Sequence, residues 1–419
     1  MEETWAIERL APGGEGFGRL ADGRAAFAPG ALPGDRIRAG RLEERRGFVR
    51  ALTWSLVAPS PDRVEPACPI ADRCGGCPLM SLARPAQLGA KLSILREALA
   101  RTGGIASPPV DEELVALGTD LAYRERARLH VSESGTLGYC ARRSHEVIAI
   151  TKCAICSDAI NTAITWLAAP ARRSKLKAFD TLEVRSVPGQ ARAHIDFVPR
   201  GPSLPSSATS LLTAATRRFH ISVRGTPPPP ETQLAYPLPR GGVLHAPAGV
   251  FTQVNWLVNC EIIERVCEGA KARCLETFAD LYCGVGNFTL PLLQSGLSGM
   301  GAERSEAAVV AARRSALAAG LTARFFTGDA STLARQWAEA GERFDLVLLD
   351  PPRRGAPDVL QAVSSLARSH VALLSCEPVT FARDAKALLG FGFELERVTA
   401  FDMFPQTPHL ESLGWFRRR

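Results

Sequence analysis

Apolar positions recur with three different spacings along the 419-residue chain, and the spacing changes after residues 57 and 237. Over residues 1–57, short alternations of apolar and polar residues (TWAIERL, AAFAPG, DRIRAGRL) are cut by the glycine- and proline-rich turns GGEGFG and PGALPGD. That pattern predicts a small β-barrel. A connecting stretch, SPDRVEP, leads to a cysteine-rich segment and then to QLGAKLSILREALARTGG. There Leu88, Leu92, Leu95 and Leu99 fall on one face and Gly103 closes the run, which predicts an amphipathic helix over about 87–102. From 121 to about 200 the period shortens again, to strands ARLHVS, TLGYCA, VIAIT, TLEVRSV and ARAHIDFV, with one helical segment, DAINTAITWLAA. Residues 201–232 are rich in Pro, Ser, Gly and Thr and read as a poorly ordered loop.

The remainder, residues 238–419, alternates helix-length and strand-length apolar segments. VNWLVNCEIIERVCEGA, NFTLPLLQSG, EAAVVAARRSALAAG and PDVLQAVSSLARS read as helices, and ETFADLYC, GMGAERS, ARFFTGD, FDLVLLD and VALLSC as strands. The βαβ rhythm predicts an α/β, doubly wound sheet with helices on both faces. Strands that are apolar throughout and end at a breaker belong inside a parallel sheet, whose C-terminal edge carries ligands. Three such ends stand out: DLYCGVGNF, LLDPPRRG and LLSCEP. They place Asp280 and Tyr282, then Asp350 with Pro351 and Pro352, then Cys376, at one lip. Glu411, in HLES, is read as a carboxylate on a nearby loop.

Composition adds that the chain is globular: 46% of residues are hydrophobic, the mean hydropathy is +0.00, and no apolar run approaches the ~20 residues of a membrane span. The first residues show neither a basic region nor an apolar core of a secretory signal, so a cytoplasmic location is expected. Eleven cysteines in a reducing compartment then call for metal binding, catalysis or burial rather than disulfides. The net charge is +7 and unevenly spread. Arg36, Arg38, Arg41, Arg45, Arg46 and Arg50 form one group, and Arg124, Arg126, Arg128, Arg142 and Arg143 a second. Arginine clusters suit phosphate backbones, although a solvated basic face has the same composition.

Two constellations carry chemistry. The glycine turn after Tyr282 exposes backbone N–H groups at a helix start, and Glu303, seventeen residues past Gly286, is placed to bond ribose hydroxyls. Asp329 ends the next strand, within reach of an adenine edge. Either a dinucleotide or S-adenosylmethionine (SAM) fits; Thr289 at the third position of a Gly-x-Gly-x-x-Gly fingerprint favours SAM. The second constellation is Cys68-x5-Cys74-x2-Cys77, with Cys153 or Cys156 available as a fourth ligand. Three thiols within ten residues suit zinc or an iron–sulfur cluster. Cys260, Cys267, Cys274 and Cys283 sit in apolar contexts and read as small buried hydrophobes.

Taken together, CxxxxxCGGC, FTQVN, DLYCGVGNF, DPPRRG, SCEP and HLES make the chain resemble the RNA 5-methyluridine methyltransferases over nearly its whole length, and within them most the 23S rRNA (uracil-5-) type. The resemblance implies a TRAM-like (OB-like) RNA-binding barrel over 1–57, a central, mainly β iron–sulfur domain over 58–237, and a Rossmann-like SAM-dependent methyltransferase domain over 238–419. It implies a [4Fe–4S] cluster on Cys68, Cys74, Cys77 and Cys153, and SAM contacts from Gln253, Tyr282, Asn287, Glu303, Asp329 and Asp350. It makes Cys376 the nucleophile and Glu411 the base that removes the C5 proton. The implied partner is 23S rRNA, with no membrane and no obligate protein partner in view; a tRNA substrate, or a catalytically weak iron–sulfur RNA-binding protein, is the alternative. One position departs from the family, which usually has Asn after the nucleophile where this chain has Glu377. An acid there opposes ionisation of the neighbouring thiol.

Overall fold

The computed structural model describes residues 3–142, 144–226 and 233–419; Arg143 and the prolines of TPPPPE lie outside them. Residues 4–58 form a six-stranded sheet from β1 (Thr4–Ala6), β2 (Arg9–Leu10), β3 (Gly16–Arg19), β4 (Ala25–Ala28), β5 (Arg36–Arg45) and β6 (Phe48–Ala58), in the order β1-β5-β6-β4-β3-β2. The period-2 pattern is kept at the start of β5, where Ile37 and Ala39 are buried while Arg36 and Arg38 are exposed, and it breaks at exposed Arg41, where the register shifts. Buried Asp35, at the mouth of β5, accepts two bonds of 2.7 Å from Arg63 and so ties the barrel to the connecting stretch ahead of the cysteines.

Helix α1 (Arg84–Arg101) begins with Pro85 in its first turn, where the missing N–H costs nothing. One face touches the barrel, where Ile94, Ala86 and Ala90 meet Leu10 of β2 and Leu32. Leu92, Leu95, Ala98 and Leu99 enter the same core as Phe381, Ala382, Ala385 and Leu388 near the other end of the sequence.

The central sheet runs β12-β11-β10-β7-β8-β9, from β7 (Arg126–Val131), β8 (Leu137–Cys140), β9 (Val147–Ala149), β10 (Phe179–Arg185), β11 (His194–Pro199) and β12 (His220–Val223). Helices α2 (Asp158–Leu167), α3 (Arg173–Leu176) and α4 (Ser206–Thr216) accompany it. Helix α4 and strand β12 correct the loop expected over 201–232. Their Ser- and Thr-rich composition hides Ala208, Leu211 and Ala215, which lie at helical spacing and pack against the sheet. The hairpin β13 (Leu234–Pro237) and β14 (Val243–Ala246) then joins the C-terminal core through Leu234, Tyr236, Leu244 and Ala246.

The C-terminal region is a three-layer α/β unit. Helix α5 (Trp256–Ala272) precedes β15 (Thr277–Leu281), α6 (Thr289–Gln294), β16 (Ser298–Glu303), α7 (Glu306–Ala318), β17 (Arg324–Thr327), α8 (Ala330–Glu339), β18 (Phe344–Leu349), α9 (Leu360–Leu366), β19 (Ala367–Ser375), α10 (Pro378–Gly390), β20 (Phe393–Phe401) and β21 (Glu411–Arg418). The sheet order is β17-β16-β15-β18-β19-β21-β20. Strands β15 to β19 are parallel, and β21 runs antiparallel between β19 and β20. The doubly wound sheet is therefore mixed, and Glu411 opens a strand rather than sitting on a loop. No described helix is long and apolar enough to cross a membrane.

Candidate active site

The five parallel strands end side by side, and each hands a predicted residue to the same edge. Across the sheet from β17 to β19, Asp329, Glu303, Tyr282, Asp350 and Cys376 stand at or within two residues of the strand ends. Because β21 is antiparallel, its first residue, Glu411, lies at that same edge, beside Ser412, which pairs with Ser375. The fold gathers all six without any loop having to reach across.

On the left half of the edge the glycine turn is held by the acid expected for a ribose. Glu303 Oε2 accepts from the N–H of Gly284 at 3.1 Å, and Oε1 from that of Ser305 at 2.7 Å. Gly286, at φ +91°, needs the left-handed freedom of glycine, and a Cβ there would crowd Leu290. Asp329 caps α8, its Oδ1 accepting from the Ser331 hydroxyl at 2.6 Å and from the N–H groups of Ser331 and Thr332; the hydroxyl first, then those N–H groups, hold its carboxyl below the usual range. Tyr282 also has positive φ, +73°; burial and then the charge of Asp329 push its phenol up to about 12. Asn287 exchanges a reciprocal pair of 2.9 Å bonds with Asn259 of α5, which fixes both amides. Gln253 is half-buried just ahead of α5.

Sequence reasoning assigned no role to Asp280, which is fully buried. Thr289 Oγ1 donates to its Oδ2 at 2.6 Å, while Oδ1 has no partner within the protein. Burial raises its carboxyl to about 7. Glycine N–H groups, an orphan buried acceptor and two strand-end acids form a donor and acceptor set suited to an amino-acid-bearing nucleoside such as SAM.

The right half holds three acids around one thiol. Burial, then the neighbouring charge of Glu411, raise the Cys376 thiol to about 12; Arg353 opposes this, and Asp350 and Glu377 add to it. Burial, then Asp350, hold Glu411 well above a normal carboxyl, and burial raises Asp350 to about 7. Arg353 was missed; its signal was only a basic residue after the Pro–Pro pair. His409 was missed too, and burial followed by Arg353 lowers it to about 4, so it stays neutral.

Glu377 occupies the N-cap position of α10 but makes no side-chain cap bond. An Asn there caps well and carries no charge. Glu377→Asn is expected to shift alkylation of Cys376 by iodoacetamide, read on the Cys376 peptide by mass spectrometry, to lower pH. Stability should rise by about 0.5–1 kcal/mol. An unshifted alkylation profile would remove Glu377 from the thiol's environment.

The cysteine segment packs on the central sheet, with Gly75 N–H bonded to the carbonyl of Cys140 and a bridge from Cys74 to Ala141. Burial, then thiolate charges on Cys153, Cys74 and, more weakly, Cys68, push Cys77 up to about 12. The turn at Cys153 is fixed by Asn161, which accepts from its N–H at 2.8 Å and donates to the carbonyls of Cys153 and Cys156. As they stand, no three His, Cys, Asp or Glu among the described residues form a group that could hold a metal ion. Cys267 and Cys283 are buried as expected, but Cys274 is exposed, at φ +52° just past the end of α5.

Comparison with known proteins gives a consistent picture. Residues 241–323 and 340–419 match a family model described as tRNA (uracil-5-)-methyltransferase. The chain is 36% identical to the 23S rRNA (uracil(1939)-C(5))-methyltransferase RlmD of Pseudomonas putida, over 98% of this chain and 92% of that one. It is 33% identical to the protein of that name from Alkalilimnicola ehrlichii, over 99% and 96%. Among solved structures, it superposes with a TM-score of 0.76 on the Pyrococcus abyssi tRNA (uracil-54, C5)-methyltransferase in complex with S-adenosyl-L-homocysteine, covering 99% of this chain and 100% of that one at 24% identity. That last likeness speaks to the fold.

Proposed function

The chain belongs to the (uracil-5-)-methyltransferase family of RNA-modifying enzymes, and we propose that it transfers a methyl group from SAM to C5 of a uridine in 23S rRNA. The observation that carries this reading is the shared edge on which Cys376, Asp350 and Glu411 meet beside the glycine turn. An electrophilic methyl group is what SAM supplies there. Gln253, Tyr282, Asn287, Glu303, Asp329 and Asp350 orient it, with Asp280 beneath.

Uracil C5 is too weak a nucleophile to react unaided. The Cys376 thiolate adds to C6, the ring electrons move to C5, and C5 takes the methyl group as its bond to the sulfonium sulfur breaks and S-adenosylhomocysteine leaves. Glu411 then removes the C5 proton, and the C6–S bond breaks to restore the ring and the thiolate. The electrostatics order these steps. Thiolate and Glu411 carboxylate each oppose the other's charge, so the thiolate forms while Glu411 is protonated. Once sulfur is bonded to carbon that charge is gone, and Glu411 can ionise to act as base. The uridine must leave its stack, which is least costly in a loop. Exposed Arg36, Arg41, Arg45 and Arg46 on the barrel give the RNA backbone a basic, TRAM-like surface.

The four thiols of Cys68, Cys74, Cys77 and Cys153 fit a [4Fe–4S] cluster by donor chemistry: all are sulfur, and their charges are felt together at Cys77. The cluster's part is to hold two chain segments together, and no step of methyl transfer is assigned to it. Anaerobically purified protein is expected to be brown with about four irons per chain, falling severalfold in Cys77→Ser. Zinc without iron would overturn the cluster.

The function is tested with 5-fluorouridine-containing 23S rRNA fragments and labelled SAM on a denaturing gel. The fluorine cannot leave as a proton, so the enzyme should remain bonded to its RNA. A band with tRNA but none with rRNA would move the substrate to tRNA; a band with neither would sink methylation of uridine. An rRNA substrate also places the enzyme in the cytoplasm.

A further inference from the structure

Residues 402–410 lead from β20 into Glu411; the sheet pairs Glu411 with Phe401, and the path of this segment sets how the chain enters β21 just ahead of the base. They are held from outside their own sheet. Arg84, Gln87 and Lys91, spaced along one face of α1, point at this segment and are joined to it by a buried polar network. Lys91 Nζ, with no exposed surface, pairs with Asp402 Oδ1 at 2.5 Å and donates to the carbonyl of Phe404 at 3.0 Å. Arg84 pairs with the other oxygen of Asp402. Gln87 Nε2 donates to Gln406 Oε1 at 2.9 Å, and Gln87 Oε1 accepts from the N–H of Gln406 at 3.2 Å.

The same Gln87 amide also bonds the carbonyls of Leu82 and Leu79, and the N–H of Leu79 donates back to the carbonyl of Gln406 at 3.1 Å. Leu79 lies two residues beyond Cys77. Gln406 itself has φ +69°, a conformation a non-glycine residue keeps only when its surroundings dictate it. Its side chain also donates to Asp120 at 2.8 Å, and Tyr123 donates to the carbonyl of Pro405 at 3.0 Å. Asp402 Oδ2 and Arg84 Nη1 meet no hydrogen-bond geometry, but the Gln87–Gln406 and Lys91 bonds are made between buried groups, which hold one arrangement strongly.

We propose that Gln87, Lys91 and Gln406 are positioning residues for Glu411, so that the cysteine-rich segment and α1 set the place of the base that the methyltransferase sheet only begins. This rests on the reading of Cys376 as nucleophile and Glu411 as base. Cys376 is placed by β19 and α10; α10 packs on α1 through the apolar residues Leu92, Leu95, Ala98 and Leu99, not through Gln87 or Lys91. Loosening the network therefore slows proton removal while sparing thiolate attack and methyl transfer. A displacement near 1 Å at a catalytic group costs up to about a hundredfold.

The test is single turnover on ordinary uridine RNA with Gln87→Leu and, independently, Gln406→Gly, which keeps the backbone bonds but drops the side chain and the enforced φ. Methyl transfer to RNA is counted by label, and release of free methylated RNA from the covalent complex is followed on a denaturing gel. Methyl transfer within about twofold of wild type, with release slowed at least about tenfold and a methylated protein–RNA band accumulating, is expected for both variants. Parallel slowing of both steps, or unchanged release, would overturn the proposal. Should Gln87→Leu not fold, Gln406→Gly decides alone. If wild type fails to trap 5-fluorouridine RNA, the nucleophile and base assignments fail instead, and the network has nothing to position.

Discussion

Cys376→Ala is expected to reduce methyl transfer to below about a thousandth of wild type, since removing a nucleophile removes the whole covalent route rather than one contact. The loss should be confined to chemistry. The thiol sits past the last residue of β19, outside the apolar core that holds Leu373 and Leu374, so the melting temperature should stay within about 2 °C. SAM binding, measured by equilibrium dialysis, should be unchanged, because the glycine turn and Glu303 lie two and three strands away in the order β16-β15-β18-β19. Trapping on 5-fluorouridine RNA should vanish. Cys376→Ser should not rescue it, because a hydroxyl is a far weaker nucleophile than a thiol that is already costly to ionise here. A Cys376→Ala enzyme that still methylates uridine would require another group to activate C5.

The thiol's environment also sets a pH dependence. Burial and the charges of Glu411, Asp350 and Glu377 hold it protonated at neutral pH, so the rate of trapping should rise with pH as the thiolate forms and then fall as Glu411 ionises and opposes it. Only Arg353 works the other way among the charges named.

Much of this site was legible because the signals were local. An apolar run that stops at Asp–Pro–Pro or at Cys–Glu–Pro marks a buried parallel strand and its C-terminal end, and a parallel sheet puts all such ends together. Glu303 and the glycine turn were legible for the same reason. Glu411 was placed on a loop because PQTPH just before it carries turn residues; the strand that it opens is visible only through its antiparallel pairing with β19 and β20. Helix α4 was hidden by Ser and Thr, whose weak propensity is overridden by packing. The network around Gln406 had no local signal at all: Lys91 and Asp402 are 311 residues apart in sequence. A buried lysine on an otherwise amphipathic helix reads as a solvated charge until its partner is seen. Exposed Cys274 shows the converse, an apolar context that ends one residue too soon.

Glu411→Gln should separate the two halves of the reaction more cleanly than any other change. The amide cannot take the C5 proton, but it keeps the size of the carboxyl and removes the charge that most opposes ionisation of the Cys376 thiol after burial itself. Attack on C6 and methyl transfer should therefore proceed at least as fast as in wild type. Elimination should stall, so turnover falls by about a thousandfold, within the range contributed by a general base. The methylated RNA should remain bonded to protein on a denaturing gel, with ordinary uridine and no fluorine. Stability gives an independent readout. The carboxyl of Glu411 is held above its unfolded value by burial and by Asp350. Its contribution is thus fully present below the unfolded pKa of 4.5 and is lost as pH rises through the folded one. Wild type pays this penalty at pH 8 and the amide does not, so the melting temperature of Glu411→Gln relative to wild type should rise between about pH 5 and pH 8. Rapid release of methylated RNA from Glu411→Gln would hand the proton to another group, and Asp350, raised to about 7 at the same edge, would be the residue to replace next.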